Sequence, residues 1–150
     1  MLDFIPILRQ HLPRFKKVLE LGSKNGDCLK LIHEYYDVTA SETQKVKTRY
    51  LKDEFIDIRV ILLDPITVDT HKRVECVFSK NCLDELSLVE INESLKNQLT
   101  VLTKDGLIFH IFDESKIDKN EILTLVNENY EILQTDVINK EFFVLAKKNW

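Results

Sequence analysis

Residues 18–26 read Val-Leu-Glu-Leu-Gly-Ser-Lys-Asn-Gly, an apolar run that breaks into a glycine-bearing turn. A strand, such a turn and then a helix together leave few folds open to the chain. The turn exposes backbone N–H groups and the helix start adds partial positive charge, so an anionic group can sit there. Glu42 closes the next apolar run, about 20 residues on, where an acidic side chain can accept both hydroxyls of a ribose. A nucleoside-containing small molecule is therefore the first ligand to consider. Glycines fall at 22 and 26 only in this stretch, so the G-x-G-x-x-G pattern of dinucleotide folds is not met and NAD is disfavoured.

The same alternation of apolar runs and turns continues along the chain. Leu2, Ile5, Leu8 and Leu12 have near-helical spacing, which predicts a helix over 2–12 with Pro6 in its first turn and Pro13 at its end. Strands are predicted at 17–21, 37–40, 58–63, 74–79 and 107–112, and helices at 27–35, 43–51, 88–102 and 119–128. Lys104-Asp105-Gly106 reads as a turn. Residues 131–138 and 142–147 flank Asn139-Lys140, the pattern of a hairpin. Continuous apolar strands imply burial on both faces, hence a parallel sheet covered by helices. The order predicts an α/β fold: a Rossmann-like, doubly wound, mostly parallel sheet in three αβα layers, with an antiparallel C-terminal hairpin at one edge. No repeat or linker divides the chain, so one domain is expected over 1–150, with the core at 17–150 after the N-terminal helix.

Charged residues make up 31% of the 150 and the net charge is -4, which supplies no global basic field for nucleic acid. The basic groups at Lys45, Lys47, Arg49 and Lys52, and at His71, Lys72 and Arg73, read as solvated faces. No apolar run approaches the ~18 residues of a membrane span. The three cysteines, Cys28, Cys76 and Cys82, have no C-x-x-C spacing and suggest neither a disulfide framework nor a zinc site. His11, His33 and His71 are scattered and support no metal site. These features fit a reducing cytoplasm.

Val18-Leu19-Glu20-Leu21-Gly22-Ser23-x-x-Gly26 resembles the first motif of class I S-adenosylmethionine-dependent methyltransferases, E/D-x-G-x-G-x-G. Glu42 matches that family's ribose acid, and Asp64 its adenine-contacting acid or amide. Val77-Phe78-Ser79-Lys80-Asn81-Cys82-Leu83 is similar to the motif after the fourth strand. Leu102-Thr103-Lys104-Asp105-Gly106 resembles the family's "LKPGG" turn, and the closing hairpin its reversed last strand. The resemblance covers essentially the whole chain and implies a small, minimal methyltransferase core using S-adenosylmethionine. It implies a cofactor site at Glu20, Gly22, Ser23, Lys24, Gly26, Glu42, Thr43, Asp64, Pro65, Ser79 and Asn81. Lys24 departs from the pattern, standing where the family has its middle glycine. Its ammonium either pairs with the methionine carboxylate or points to solvent.

Other readings stand beside these. Glu20 either contacts the methionine end or caps its own loop. Glu42 is a ribose clamp or a charge suited to a helix start. Asp64 is an adenine contact or a turn residue before proline. Asn81 lacks the Pro-Pro-aromatic sequence that holds a base amine, and reads equally as a loop residue. Asp84 and Glu85 read as acids at a helix start, His110 as a buried structural histidine, and Cys82 as an inert thiol. No general base is identified. Insertions that form a lid are short or absent, which points to a macromolecular methyl acceptor or to a site completed by a second subunit, as in a homodimer. The alternative is a degenerate methyltransferase-like domain that binds a partner or cofactor without chemistry.

Overall fold

The apolar strands and amphipathic helices assemble as one seven-stranded sheet between two helical layers. The computed structural model describes residues 3–149. In chain order the elements are α1 (Ile5–Arg9), β1 (Lys17–Leu21), α2 (Asp27–Ile32), β2 (Asp37–Glu42), α3 (Lys45–Glu54), β3 (Arg59–Leu62), β4 (Val74–Lys80), α4 (Leu88–Val101), β5 (Leu102–Asp113), α5 (Lys119–Asn127), β6 (Tyr130–Ile138) and β7 (Glu141–Lys148). The sheet order is β3-β2-β1-β4-β5-β7-β6. The first five strands pair in parallel; β7 inserts antiparallel between β5 and β6. The reversal of order between β1 and β4 opens a crevice at the carboxyl edge of the sheet.

Alternation along each strand divides the core. Val18, Val38, Cys76, Phe78, Phe109 and Phe143 face α1, α2 and α3. Leu19, Leu21, Val77, Ile108, Phe112 and Val144 face α4 and α5. On the first face Phe4, Phe78, Phe109 and Phe143 stack successively, with ring centroids 4.8, 5.8 and 5.4 Å apart. Truncating a buried ring of this kind to alanine costs about 3–5 kcal/mol. Helix starts are fixed locally. Ser87 and Glu90 form a reciprocal capping box on α4, and the Asp118 carboxylate accepts from Glu121 N at α5. Among the described residues no helix is long and apolar enough to cross a membrane.

Several expected boundaries move. The helix predicted over 2–12 spans Ile5–Arg9, with its proline in the first turn as expected; Leu2 lies outside the described residues. The helix predicted over 27–35 ends at Ile32. The helix predicted over 43–51 spans Lys45–Glu54, because Gln44 rather than Thr43 holds the extended N-cap backbone. β2 runs on to Glu42. β3 is a sheet edge with Leu62 52% exposed, not a strand buried on both faces. Residues 104–106 are no free turn. β5 pairs Leu102 with Val74 and then Leu107 with Cys76, so 103–106 bulge out within the strand. The hairpin turn is as expected, with Asn139 at φ 51° and Lys140 at φ 66°, the left-handed pair that matches strand twist.

Candidate functional site

The chain leaves β1 through Gly22 (φ 63°) and Lys24 (φ 54°) and enters α2 at Gly26 (φ 90°). A Cβ on Gly22 would stand 2.7 Å from Cys82 Sγ, and one on Gly26 would run into the Phe55 ring. Both positions therefore need glycine for space as well as for backbone. Lys24 takes the left-handed conformation without that freedom, at roughly 1–2 kcal/mol.

Three sets of bonds hold the loop. Ser23 N donates to Ser41 O at 2.8 Å, and Ser41 N donates to Ser23 Oγ at 3.1 Å, fastening the loop to β2. Lys24 N donates to Glu42 Oε2 at 2.9 Å. The Lys24 ammonium reaches across to the segment after β4, 2.6 Å from the Asn81 carbonyl oxygen and 3.8 Å from Glu85 Oε1. Asn81 also sits at positive φ (52°). The other Glu42 oxygen accepts from Thr43 N at 3.3 Å and lies 4.0 Å from Lys47 Nζ.

Between this loop, the end of β4 and α3 lies a cleft of about 810 Å³. Glu20 lines it and is 2% exposed, yet its Oε1 has no hydrogen-bond partner. Burial pushes the Glu20 pKa up to about 7; the Ser23 hydroxyl pulls it down and the Glu42 charge pushes it further up. Asn81 Oδ1, in the same lining, is also buried without a partner. Cys28 in the lining and Cys82 behind Gly22 are inert thiols, each raised to about 12 chiefly by burial.

Of the cofactor residues that the resemblance implies, five line this cleft: Glu20, Gly22, Ser23, Lys24 and Asn81; Glu85, read as an acid at a helix start, lines it too. Gly26 packs under Phe55 behind the loop, and buried Glu42 braces the loop from β2. Thr43 is exposed beyond it. Asp64, Pro65 and Ser79 fall outside the lining. The Asp64 carboxylate turns back to accept from Ile66 N at 2.7 Å, the turn role open to a residue before proline. The Pro65 carbonyl accepts from Ser94 Oγ at 2.5 Å. Ser79 is fully buried, its hydroxyl 2.7 Å from His110 Nδ1. Asp84 Oδ2 accepts from Asp113 N at 2.8 Å, its other oxygen has no partner, and burial raises its pKa.

The sequence placed neither Val46 and Tyr50 of α3 nor Lys80 of β4 at the site, and Lys47 read as part of a solvated face; all four line the cleft. Positions 46, 47 and 50 share a helix face by their spacing. Extending β4 by one residue would have placed Lys80 at the carboxyl edge; its ammonium lies 3.6 Å from Glu141 of β7. Among the described residues no group of three or more His, Cys, Asp or Glu could hold a metal ion.

No family model and no curated protein matches the chain. Solved structures do. A SAM-dependent methyltransferase from Methanosarcina mazei superposes with TM-score 0.86 at 15% identity, covering 98% of this chain and 99% of its own. An S-adenosylmethionine-dependent methyltransferase from Clostridium acetobutylicum also gives 0.86, at 9% identity, covering 99% and 90%. The N-methyltransferase NodS from Bradyrhizobium japonicum, in complex with S-adenosyl-L-homocysteine, gives 0.81 at 11% identity, covering 97% and 85%. Likeness at such low identity is likeness of architecture. The chain has the fold of the class I S-adenosylmethionine-dependent methyltransferases.

Proposed function

We propose that this chain binds S-adenosylmethionine in the cleft at the carboxyl edge and transfers its methyl group to an acceptor. The observation that carries this reading is the buried, unpartnered Glu20 oxygen beside the positive-φ loop. A desolvated acceptor without a donor costs about 1–3 kcal/mol, and the ammonium of an amino acid would relieve it. The Glu42 carboxylate has lone pairs beyond the two N–H groups it accepts from, enough for ribose hydroxyls as well. When bound, the sulfonium supplies an already activated methyl group. The protein's part is then position: Glu20 anchors the amino-acid end, and the loop 22–26 fixes the backbone around it. Holding acceptor and methyl in line at about 3–3.5 Å contributes several kcal/mol without a dedicated base.

The open cleft supports a macromolecular acceptor or a second copy of the chain completing the site. The loop between β5 and α5 is brief, and the β6–β7 hairpin has no insertion. A cytoplasmic setting fits three free, buried cysteines. One observation favours binding without chemistry: the Lys24 ammonium already spans the gap from the glycine loop to Asn81 and Glu85.

Thermal shift with S-adenosylhomocysteine, against an NAD control, separates these readings from a chain that binds no nucleoside. Ligand at about 100 times its dissociation constant adds about 2.7 kcal/mol to stability. A shift together with label transfer from a methyl-labelled donor to tRNA, protein or metabolite fractions supports catalysis. A shift without transfer supports binding alone, and no shift overturns the cofactor assignment.

A further inference from the structure

Residues 9–17 read Arg-Gln-His-Leu-Pro-Arg-Phe-Lys-Lys, without a carboxylate, in a chain of net charge -4. The fold makes a ladder of this segment. The Arg9 guanidinium lies 4.7 Å from the centroid of the Tyr35 ring. The Arg14 guanidinium lies 5.4 Å from the same ring and 5.4 Å from the Phe15 ring. Cation and ring thus alternate from Arg9 through Tyr35 and Arg14 to Phe15. Asp3 and Glu34 line the groove beside Arg9, yet among the described residues neither arginine forms an ion pair.

Phe15 ends the ladder 77% exposed, at φ 70°. A bulky side chain in that backbone region is a genuine outlier. Phe15 N donates to Tyr35 O at 2.7 Å, which pins the turn. The fold bears this backbone cost and gains almost no burial from the ring. Strain of this kind concentrates where a ligand is met.

We propose that the ladder is a stacking platform for single-stranded nucleic acid. The free face of Phe15 takes a base, while Arg9, Arg14, Lys16 and Lys17 meet phosphates. Charge complementarity and planarity select this occupant. An acidic peptide would answer the cations but not the exposed ring. A membrane surface would need a broad apolar face, and apolar exposure here is Phe15, with Pro6 and Leu31 in a groove they share with Asp3 and Glu34. Phe15 and Tyr35 precede β1 and β2, so the platform lies at the amino edge of the sheet, away from the cleft. It stands whether or not the cleft binds a methyl donor.

Fluorescence anisotropy with a labelled oligouridylate of about 12 nucleotides tests this. Four phosphate contacts predict roughly 50-fold weaker binding at about 200 mM than at about 50 mM salt. Phe15→Gly removes the ring and relieves the backbone, so it should melt no lower than the wild type while binding about tenfold more weakly. The double change Arg9→Lys, Arg14→Lys keeps the charge and loses the planar stack; binding should weaken with the salt slope unchanged. No binding at low salt overturns the proposal. So does unchanged binding in Phe15→Gly, a large loss of stability in that variant, or tighter binding to phosphatidylserine vesicles than to the RNA.

Discussion

The Lys24 ammonium sits 2.6 Å from the Asn81 carbonyl oxygen, and both residues hold left-handed backbone. The strained ends of two loops are thereby tied across the cleft. Lys24 is half-exposed, so its contact with Glu85 is screened and worth under about 1 kcal/mol. Lys24→Gly removes roughly 1–2 kcal/mol of strain and frees the gap. The variant should melt at or slightly above the wild-type temperature and bind S-adenosylhomocysteine equally or more tightly. Weaker binding by calorimetry would make the lysine a ligand contact.

Glu42 carries a second role that the ribose assignment conceals. Its carboxylate accepts from Lys24 N and Thr43 N, so Glu42→Ala strands the N–H groups of the loop. The expected cost is about 1–3 kcal/mol without any ligand, and the S-adenosylhomocysteine shift should vanish. Glu42→Gln keeps one carbonyl acceptor and should recover part of the stability. Urea unfolding that leaves Glu42→Ala as stable as wild type would show that the loop does not depend on this carboxylate.

Strand positions were legible because apolar runs of four to eight residues were bounded by Gly, Pro and Asp, and the glycines at 22 and 26 marked the loop. What escaped depended on tertiary contacts. The bulge at 103–106 arises from pairing with β4, which lies far away in sequence. The start of α3 could not be read from a capping side chain, since Gln44 makes no side-chain cap bond. Side-chain direction was the larger gap at the site. Asp64 and Ser79 lie at strand ends as expected, but one turns to its own loop and the other into the core beside His110. Lys47 and Tyr50 reach the cleft only through the way α3 packs.

His110 lies at the centre of a buried chain. Ser79 Oγ is 2.7 Å from its Nδ1, and its Nε2 is 2.7 Å from Gln98 Oε1. Gln98 Nε2 donates to Ser94 Oγ, which donates to Pro65 O. Gln98 Oε1 only accepts, so Nε2 carries the imidazole proton and Nδ1 accepts from Ser79. Burial lowers the His110 pKa from 6.5 to about 3. The unfolded chain therefore binds a proton that the folded chain refuses. The contribution to stability is complete above about pH 6.5 and falls by about 1.4 kcal/mol per unit as pH drops towards 3. His110→Gln abolishes this dependence. Its deficit against wild type should be largest at neutral pH and shrink on acidification; a deficit constant with pH would contradict the assignment.

Glu20 runs the other way. Its pKa rises from 4.5 to about 7, so its favourable contribution is complete below about pH 4.5 and is lost as pH rises through 7. Between about pH 4.5 and 6.5 it opposes His110, and Glu20→Gln should steepen the rise of stability with pH there. The same proton couples to ligand. If the ammonium of S-adenosylhomocysteine pairs with the Glu20 carboxylate, binding must expel the proton that the free protein holds below pH 7. Affinity should then fall by up to about tenfold per unit below pH 7 and level off above it. Titration calorimetry in two buffers of different ionisation enthalpy should register the released proton. In Glu20→Gln both the binding and its pH dependence should be lost. Wild-type affinity that stays flat across the pKa of Glu20 would remove this carboxylate from the ligand site.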